Sequence, residues 1–261
     1  MVAEPCRSMD DEIKKQLQYL DLNDLAAHWD EILSEASKKK PSYHRFLTDI
    51  VNRQYHETLE RRRQARIKAA KIPEILVMET FPFAKQPKLQ RKMVMECYDS
   101  LHYIRKAQVL CMIGPTGCGK SGLATAYLIH AINQGYRGMF VDFRDLVDQL
   151  VKAGADFSEK KILRRFEAYD CLVIDELGYR AVNRDEAGLF FDLMKRRHKK
   201  KCTIITTQLG FEEWNNFLKN NHLTMALIDR ITENCTLFDM QKCISIRPKQ
   251  IVYATKKEDA P

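Results

Sequence analysis

The feature that most restricts the fold of this chain is Gly114-Pro115-Thr116-Gly117-Cys118-Gly119-Lys120-Ser121. An apolar run, Val109-Leu110-Cys111-Met112-Ile113, leads into it, and Leu123, Ala124, Ala126, Tyr127, Ile129 and Ala131 recur at helical spacing beyond it. Strand, glycine turn and helix in that order make a phosphate-binding loop. The glycines let backbone N–H groups curl around a phosphate while the new helix offers its positive dipole end. Lys120 can then reach the β- and γ-phosphates, and the Ser121 hydroxyl can hold Mg²⁺. A glycine turn in some other α/β protein would leave Lys120 unexplained.

A second element sharpens the expectation. Cys171-Leu172-Val173-Ile174 is a buried-strand pattern that ends in Asp175-Glu176. An isolated Asp-Glu pair after a strand is an ordinary loop start. Following a phosphate loop, with strand and helix patterns between, it is the expected mate of that loop. Asp175 at the strand end binds Mg²⁺, directly or through water, and Glu176 orients and deprotonates the attacking water. The adjacent glutamate favours a hydrolysing ATPase over a kinase, which has no use for a water base.

The 261 residues suffice for one α/β core and a small second domain. No apolar run approaches the ~20 residues needed to cross a membrane, and the first ten residues lack a signal-peptide core, so a cytoplasmic protein with no membrane partner is expected. Cysteines at positions 6, 97, 111, 118, 171, 202, 235 and 243 form no C-x-x-C pair and read as reduced core residues. In Cys118 the backbone is the working part. Lysine and arginine number 43 against 35 acids, a net +8, which suits a polyanionic partner.

That charge is unevenly placed. Residues 1–75 read as a small all-helical domain: Ile13, Leu17 and Leu20 mark one helix, Asn23 is positioned to cap a second with Leu25, Trp29, Ile32 and Leu33, and Ser42 to cap a third. In the third helix an apolar stripe (Phe46, Leu47, Ile50, Val51, Tyr55, Leu59) is expected to pack, and it fades as Arg61, Arg62, Arg63, Arg66, Lys68 and Lys71 begin. This basic rod is either a solvated face or, with Arg53, a grip on DNA phosphates; nothing in it looks like base-edge readout. Pro73 ends the helix, and residues 76–88 form a linker whose Phe81 and Phe83 either plug a junction or flank a purine ring.

Within residues 89–252 the expected order is a helix over 88–105, the phosphate-loop unit, a strand over 138–141, a helix over 144–152, and a helix after Ser158 bearing Lys160, Lys161, Arg164 and Arg165. Beyond Asp175-Glu176, Asn183 is a candidate cap for a helix that runs into the basic residues 195–201. Part of that run answers the helix dipole, and Lys199, Lys200 and Lys201 remain for a second polyanion contact. The strand Thr203-Ile204-Ile205-Thr206 carries Thr207 and Gln208 at its tip, a helix over 223–231 holds Asp229 and Arg230, and residues 235–238 and 244–246 read as strands. Residues 253–261 read as a charged, disordered tail.

With "FPF", "GPTGCGKS", "LVIDELGY", "TTQLGFEEW", "LIDRITENC" and "ISIR" in this order, the chain resembles the AAA+ ATPases of the DnaC/IstB group, and most closely IstB-like transposition helpers. The resemblance covers nearly the whole length. It implies an AAA+ core without a helical lid, ATP and Mg²⁺ as cofactors, Gln208 or Thr207 as γ-phosphate sensor, and Arg230 as an arginine finger acting on a neighbouring subunit. Gln208 departs from the common Asn at the sensor tip, and Arg247 is a candidate second sensor. An ATP-dependent homo-oligomer on duplex DNA is implied, recruiting an IstA-like transposase and not itself cutting strands. A DnaC-like helicase loader and a small P-loop metabolic enzyme are the alternatives.

Overall fold

Two units make up the chain, Met1–Ala65 and Arg66–Pro261, and the computed structural model describes residues 9–155 and 158–246. Arg247, Cys6 and the 253–261 tail therefore lie outside the described residues. In the first unit α1 (Asp11–Tyr19) is capped by Asp10, whose carboxylate accepts the Glu12 N–H at 3.2 Å. The expected second helix is two, α2 (Asn23–Ala27) and α3 (Trp29–Lys39), broken at His28. Asn23 is the first residue of α2 and not its cap; its amide donates to Asp21 Oδ1 at 3.3 Å.

Helix α4 (Tyr43–Ala69) starts where expected, with the Arg45 N–H donating to Ser42 Oγ at 3.4 Å. Its apolar stripe packs only in part. Phe46 and Ile50 are half-buried, whereas Leu47 is 61% and Val51 65% exposed, and Tyr55 and Leu59 are exposed too. A row spaced by four residues drifts about 40° around the helix per step, so the short α2 and α3 leave much of it uncovered. Asp24 of α2 pairs with Arg53 of α4 and accepts from Gln54 Nε2 at 3.3 Å; the guanidinium holds its carboxyl below the usual range.

The second unit contains, among the described residues, a five-stranded parallel sheet in the order β2-β3-β4-β1-β5. Its elements are α5 (Arg91–Ser100), α6 (His102–Arg105), β1 (Val109–Ile113), α7 (Lys120–Asn133), β2 (Gly138–Asp142), α8 (Phe143–Ala155), α9 (Glu159–Glu167), β3 (Cys171–Leu177), α10 (Arg184–Arg197), β4 (Cys202–Thr207), α11 (Trp214–Leu218), α12 (Asn221–Thr232) and β5 (Cys235–Asp239). The helix expected over 88–105 is interrupted at Leu101, which takes φ +52°. Residues 244–246 form no strand; the Ile246 N–H is committed to the Gly117 carbonyl at 2.9 Å, in the phosphate loop.

Strands covered on both faces read as continuous apolar runs, as β1 and the first four residues of β3 do. Leu110 and Met112 point to one core with α5, α6 and α7, while Val109, Cys111 and Ile113 point to the other with α8, α10 and α12. Alternation along β1 thus separates two layers of helices. Asn183 caps α10 through a reciprocal pair: the Glu186 N–H donates to Asn183 Oδ1 at 2.9 Å and the Asn183 N–H to Glu186 Oε2 at 2.8 Å. The cysteines described are free thiols, Cys111, Cys118, Cys171, Cys202 and Cys243 being buried.

The basic run that begins in the last turn of α10 contains one buried residue. Arg197 is 1% exposed and donates to the carbonyls of Phe166 (2.7 Å), Tyr169 (2.9 Å) and Cys202 and to Thr203 Oγ1 (3.0 Å). Burial pushes its pKa down to about 10, so it is still a cation at neutral pH. It ties the end of α9 to the start of β4. Replacing it with Leu should cost about 3–5 kcal/mol, because three carbonyls lose their donors in a site water does not reach. Lys should not rescue it, since one ammonium lacks the planar fork. Chemical denaturation of Arg197→Leu and Arg197→Lys checks this, with both midpoints expected well below that of the parent.

Candidate nucleotide-binding site

The phosphate loop leaves β1 at the C-terminal edge of the sheet, where open α/β sheets bind ligands. Gly119 sits at φ +100° and Gly117 at φ +81°, both in the left-handed region. Gly114 is required for a different reason: a Cβ there would lie 2.6 Å from the Met240 carbonyl oxygen. α7 begins at Lys120, whose ammonium is buried and donates to the carbonyls of Gly114 (2.7 Å) and Pro115 (2.9 Å). Pro115 and Thr116 are exposed at the crest of the loop.

Ser121 and Asp175 meet. The serine hydroxyl donates to Asp175 Oδ1 at 2.9 Å, and Thr206 of β4 donates to the same oxygen. β4 lies between β1 and β3, which brings the strand tip to both motifs. Pairing of β3 with β4 runs regularly to Ile174↔Ile205 and resumes at Leu177↔Thr207, a bulge that holds Asp175 and Glu176. Glu176 has φ +57°, a conformation costing about 1–3 kcal/mol for a residue with a Cβ. Its N–H donates to Thr206 Oγ1 at 3.0 Å, and its exposed side chain lines the cavity in front of the loop.

That cavity encloses about 530 Å³. Thr116, Lys120 and Ser121 line it together with Glu176, Thr206 and Gln208 and with the apolar side chains of Leu76, Phe81 and Ile246. The two tip residues of β4 separate. Thr207 is buried, donating to the Leu177 carbonyl at 2.8 Å and accepting the Leu209 N–H at 3.0 Å, whereas Gln208 is exposed toward the cavity. Phe81 borders the cavity beside Gly119, and Phe83 packs edge-on against it at 4.8 Å.

Sequence reasoning missed Gln86 and Thr206. Gln86 is 1% exposed; its amide donates to the carbonyls of Cys118 (2.9 Å) and Ile244 (2.6 Å) and accepts the Ile244 N–H at 3.1 Å. One side chain thus fastens the phosphate loop to the chain beyond β5. A lone Gln after Lys85 carries no local signal for this. Cys118 serves that contact with its carbonyl, and burial pushes its thiol up, away from the thiolate.

Arg230 is not at this cavity. It lies on α12, donates to the Ala226 carbonyl at 2.8 Å and sits over the Phe191 ring at 4.9 Å. Of the basic candidates, Arg53, Arg61 and Arg63 pair with Asp24, Asp21 and Glu60, and Lys199 and Lys201 with Glu233 and Asp170. Among the described residues Arg62, Arg66, Lys68, Lys71 and Lys200 form no ion pair. Glu60 is held down at about 2 by Arg63 and Gln64.

A family model described as IstB-like ATP binding protein matches residues 15–254. The chain belongs to this family. A protein of insertion sequence IS21 of Pseudomonas aeruginosa, named for ATP binding, is 30% identical over 230 residues, 88% of this chain and 86% of its own. Its counterpart from insertion sequence IS5376 of Geobacillus stearothermophilus is 29% identical over 96% of this chain and 100% of its own length. Among solved structures the fold is similar to the DnaC helicase loader, with a TM-score of 0.50 and 23% identity over 57% of this chain and 87% of that one. It is similar also to AMPPCP-bound DnaA from Aquifex aeolicus, with a TM-score of 0.53 and 16% identity over 65% of this chain and 51% of that one. The IstB-like chain is accordingly an ATP-binding ATPase with an AAA+ core. No described helix is long and apolar enough to cross a membrane.

The tie through Gln86 can be measured without any assay of function. Gln86→Ala leaves buried polar backbone without partners and should cost about 1–3 kcal/mol. Thermal unfolding should show the loss, and saturating ATP should recover part of it by binding the folded form.

Proposed function

We propose that the protein is an ATP-dependent, DNA-binding helper of insertion-sequence transposition, which assembles on duplex DNA and engages a transposase. The carrying observation is that insertion-sequence relatives align over nearly the whole chain, the N-terminal unit included, and not over the ATPase fold alone. The helicase loader and the initiator resemble it in fold at lower coverage of this chain.

At the cavity Lys120 turns from the Gly114 and Pro115 carbonyls to the β- and γ-phosphates, and the N–H groups opening α7 receive the phosphate oxygens. Ser121 and Asp175 present only oxygen donors, which suits Mg²⁺, and they would hold it to neutralise charge on the transferred phosphoryl group. Glu176 takes the proton of the attacking water, and Gln208, exposed toward the cavity, contacts the γ-phosphate. Arg230 is free to serve the site of a neighbouring copy because it does not face its own; hydrolysis then depends on assembly. A glutamate placed as a water base favours hydrolysis and gives no support to a metabolic kinase.

Arg62, Arg66, Lys68, Lys71 and Lys200 supply the phosphate-facing charge. In the ATPase unit α9 adds Lys160, Lys161, Arg164 and Arg165, all exposed. Contacts of this kind give affinity with little sequence preference.

Weighing the complex formed on a short random duplex with ATP, with ADP and without nucleotide tests the whole reading. A multi-subunit complex that requires ATP is expected; a monomer in every condition, or assembly only with a replicative helicase, would overturn it. Lys120→Ala should abolish ATP turnover, and Glu176→Gln should bind ATP while nearly stopping hydrolysis. Single-turnover and binding measurements check both. Replacing Arg62, Arg66, Lys68 and Lys71 with Ala should weaken duplex binding similarly across sequences and flatten the slope of log K against log salt by about 0.9 for each phosphate no longer neutralised.

A further inference from the structure

We propose that Thr206 is a positioning residue for hydrolysis, setting Asp175 with its hydroxyl proton and Glu176 with its hydroxyl oxygen. The inference rests on the roles given above to those two carboxylates. A threonine hydroxyl has one proton to give and lone pairs to receive. Here both ends are used: the proton goes to Asp175 Oδ1, and the oxygen accepts the Glu176 N–H at 3.0 Å. Asp175 Oδ1 takes the Ser121 hydroxyl at 2.9 Å as well, so one oxygen gathers the phosphate loop, β3 and β4.

The need for Thr206 follows from the strand pairing. Two residues of β3, Asp175 and Glu176, stand in the interval where β4 supplies Thr206 alone. A bulge of that kind removes a ladder hydrogen bond from the extra residue. The Thr206 hydroxyl replaces it, holding the Glu176 N–H from a side chain that is itself 0% exposed. Thr207 is no substitute, its own hydroxyl being committed to Leu177 and Leu209. The replaced bond fixes the φ +57° backbone of Glu176, and that backbone sets the direction in which the carboxylate leaves the strand. Without it the base loses its aim at the cavity while Lys120 and the loop amides keep theirs. Thr206 therefore acts mainly on the chemical step, while Lys120 and the loop amides keep nucleotide affinity close to that of the parent.

Full-length Thr206→Val, Thr206→Ala and Thr206→Ser, each with Mg²⁺, separate the hydroxyl from the methyl group. The readouts are steady-state ATP turnover and equilibrium binding of ATP and ADP. Val and Ala should lower kcat about 10–100-fold, the usual consequence of removing a group that orients a ligand-bearing side chain, with nucleotide Kd unchanged. Ser should retain most of the parent kcat. If Val misfolds, Ala carries the same measurement with a smaller side chain. Parent-like turnover in Val and Ala, a Ser variant as slow as Val, or a fall in nucleotide affinity matching the fall in kcat would each overturn the proposal. Glu176→Gln run alongside locates a failure: if it turns over normally, the reading of the carboxylates is at fault; if it is inactive while Val and Ala are normal, the role of Thr206 is.

Discussion

A hydrogen bond of 2.9 Å between the Ser121 hydroxyl and Asp175 Oδ1 is the constraint that the ATPase unit is built to satisfy. It joins the first turn of α7 to the end of β3, and the motifs meet across β4, which lies between β1 and β3 with all three strands parallel and ending at one edge. Parallel strands need long crossovers, and α7, α8, α9 and α10 supply them, one helical layer to each sheet face. The apolar runs of β1 and of residues 171–174 in β3 are continuous because both faces are covered. Site and core are therefore one requirement: a strand slipped by one residue would turn its buried side chains to the opposite face and carry Asp175 away from the loop.

Much of this was legible in the residues because its causes are local. Glycine spacing, the Lys-Ser pair and the flanking periodicities define the loop before any partner is known, and Asn183 with Glu186 three positions on is a complete capping signal by itself. What stayed hidden depends on partners distant in the chain. Gln86 finds Cys118 and Ile244, and Arg197 finds carbonyls at the end of α9. In a run of basic residues nothing marks one as the buried member. Leu101 and Glu176 take left-handed conformations that favour glycine in sequence-based reading, so a helix break and a bulge went unannounced. Residues 244–246 alternate like a strand, but the N–H groups of Ile244 and Ile246 are claimed by Gln86 and Gly117.

Basic charge shows the same division between pattern and partner. A run of arginines and lysines is visible at once, yet Arg53, Arg61, Arg63, Lys199 and Lys201 each have an acid beside them. The exposed pairs among them, Arg61–Asp21 and Lys199–Glu233, are worth little to stability and are broken readily when a phosphate offers a better partner. On the proposed reading, pairing does not remove these residues from a polyanion interface; it makes their contribution smaller than that of Arg62, Arg66, Lys68 and Lys71, which have no ion pair to exchange among the described residues. Charge counted after pairing then orders the proposed grip that charge counted along the chain overstates.

The tip of β4 shows how one short strand serves two ends. Thr206 and Thr207 alternate across the sheet, and each spends its hydroxyl on β3, one at Asp175 and Glu176 and the other at Leu177. Together they hold the bulge from both sides, so the strained residue between them is fixed in place by the neighbouring strand and not by its own preference. Gln208, next in line, is then the first residue past the last β3 contact and the first whose side chain is available to the cavity. A longer side chain is accommodated there because the two threonines, and not the tip residue, carry the geometry of the carboxylates. With the role proposed for Thr206, a glutamine here leaves the alignment of Asp175 and Glu176 to the two threonines and presents a longer side chain toward the cavity.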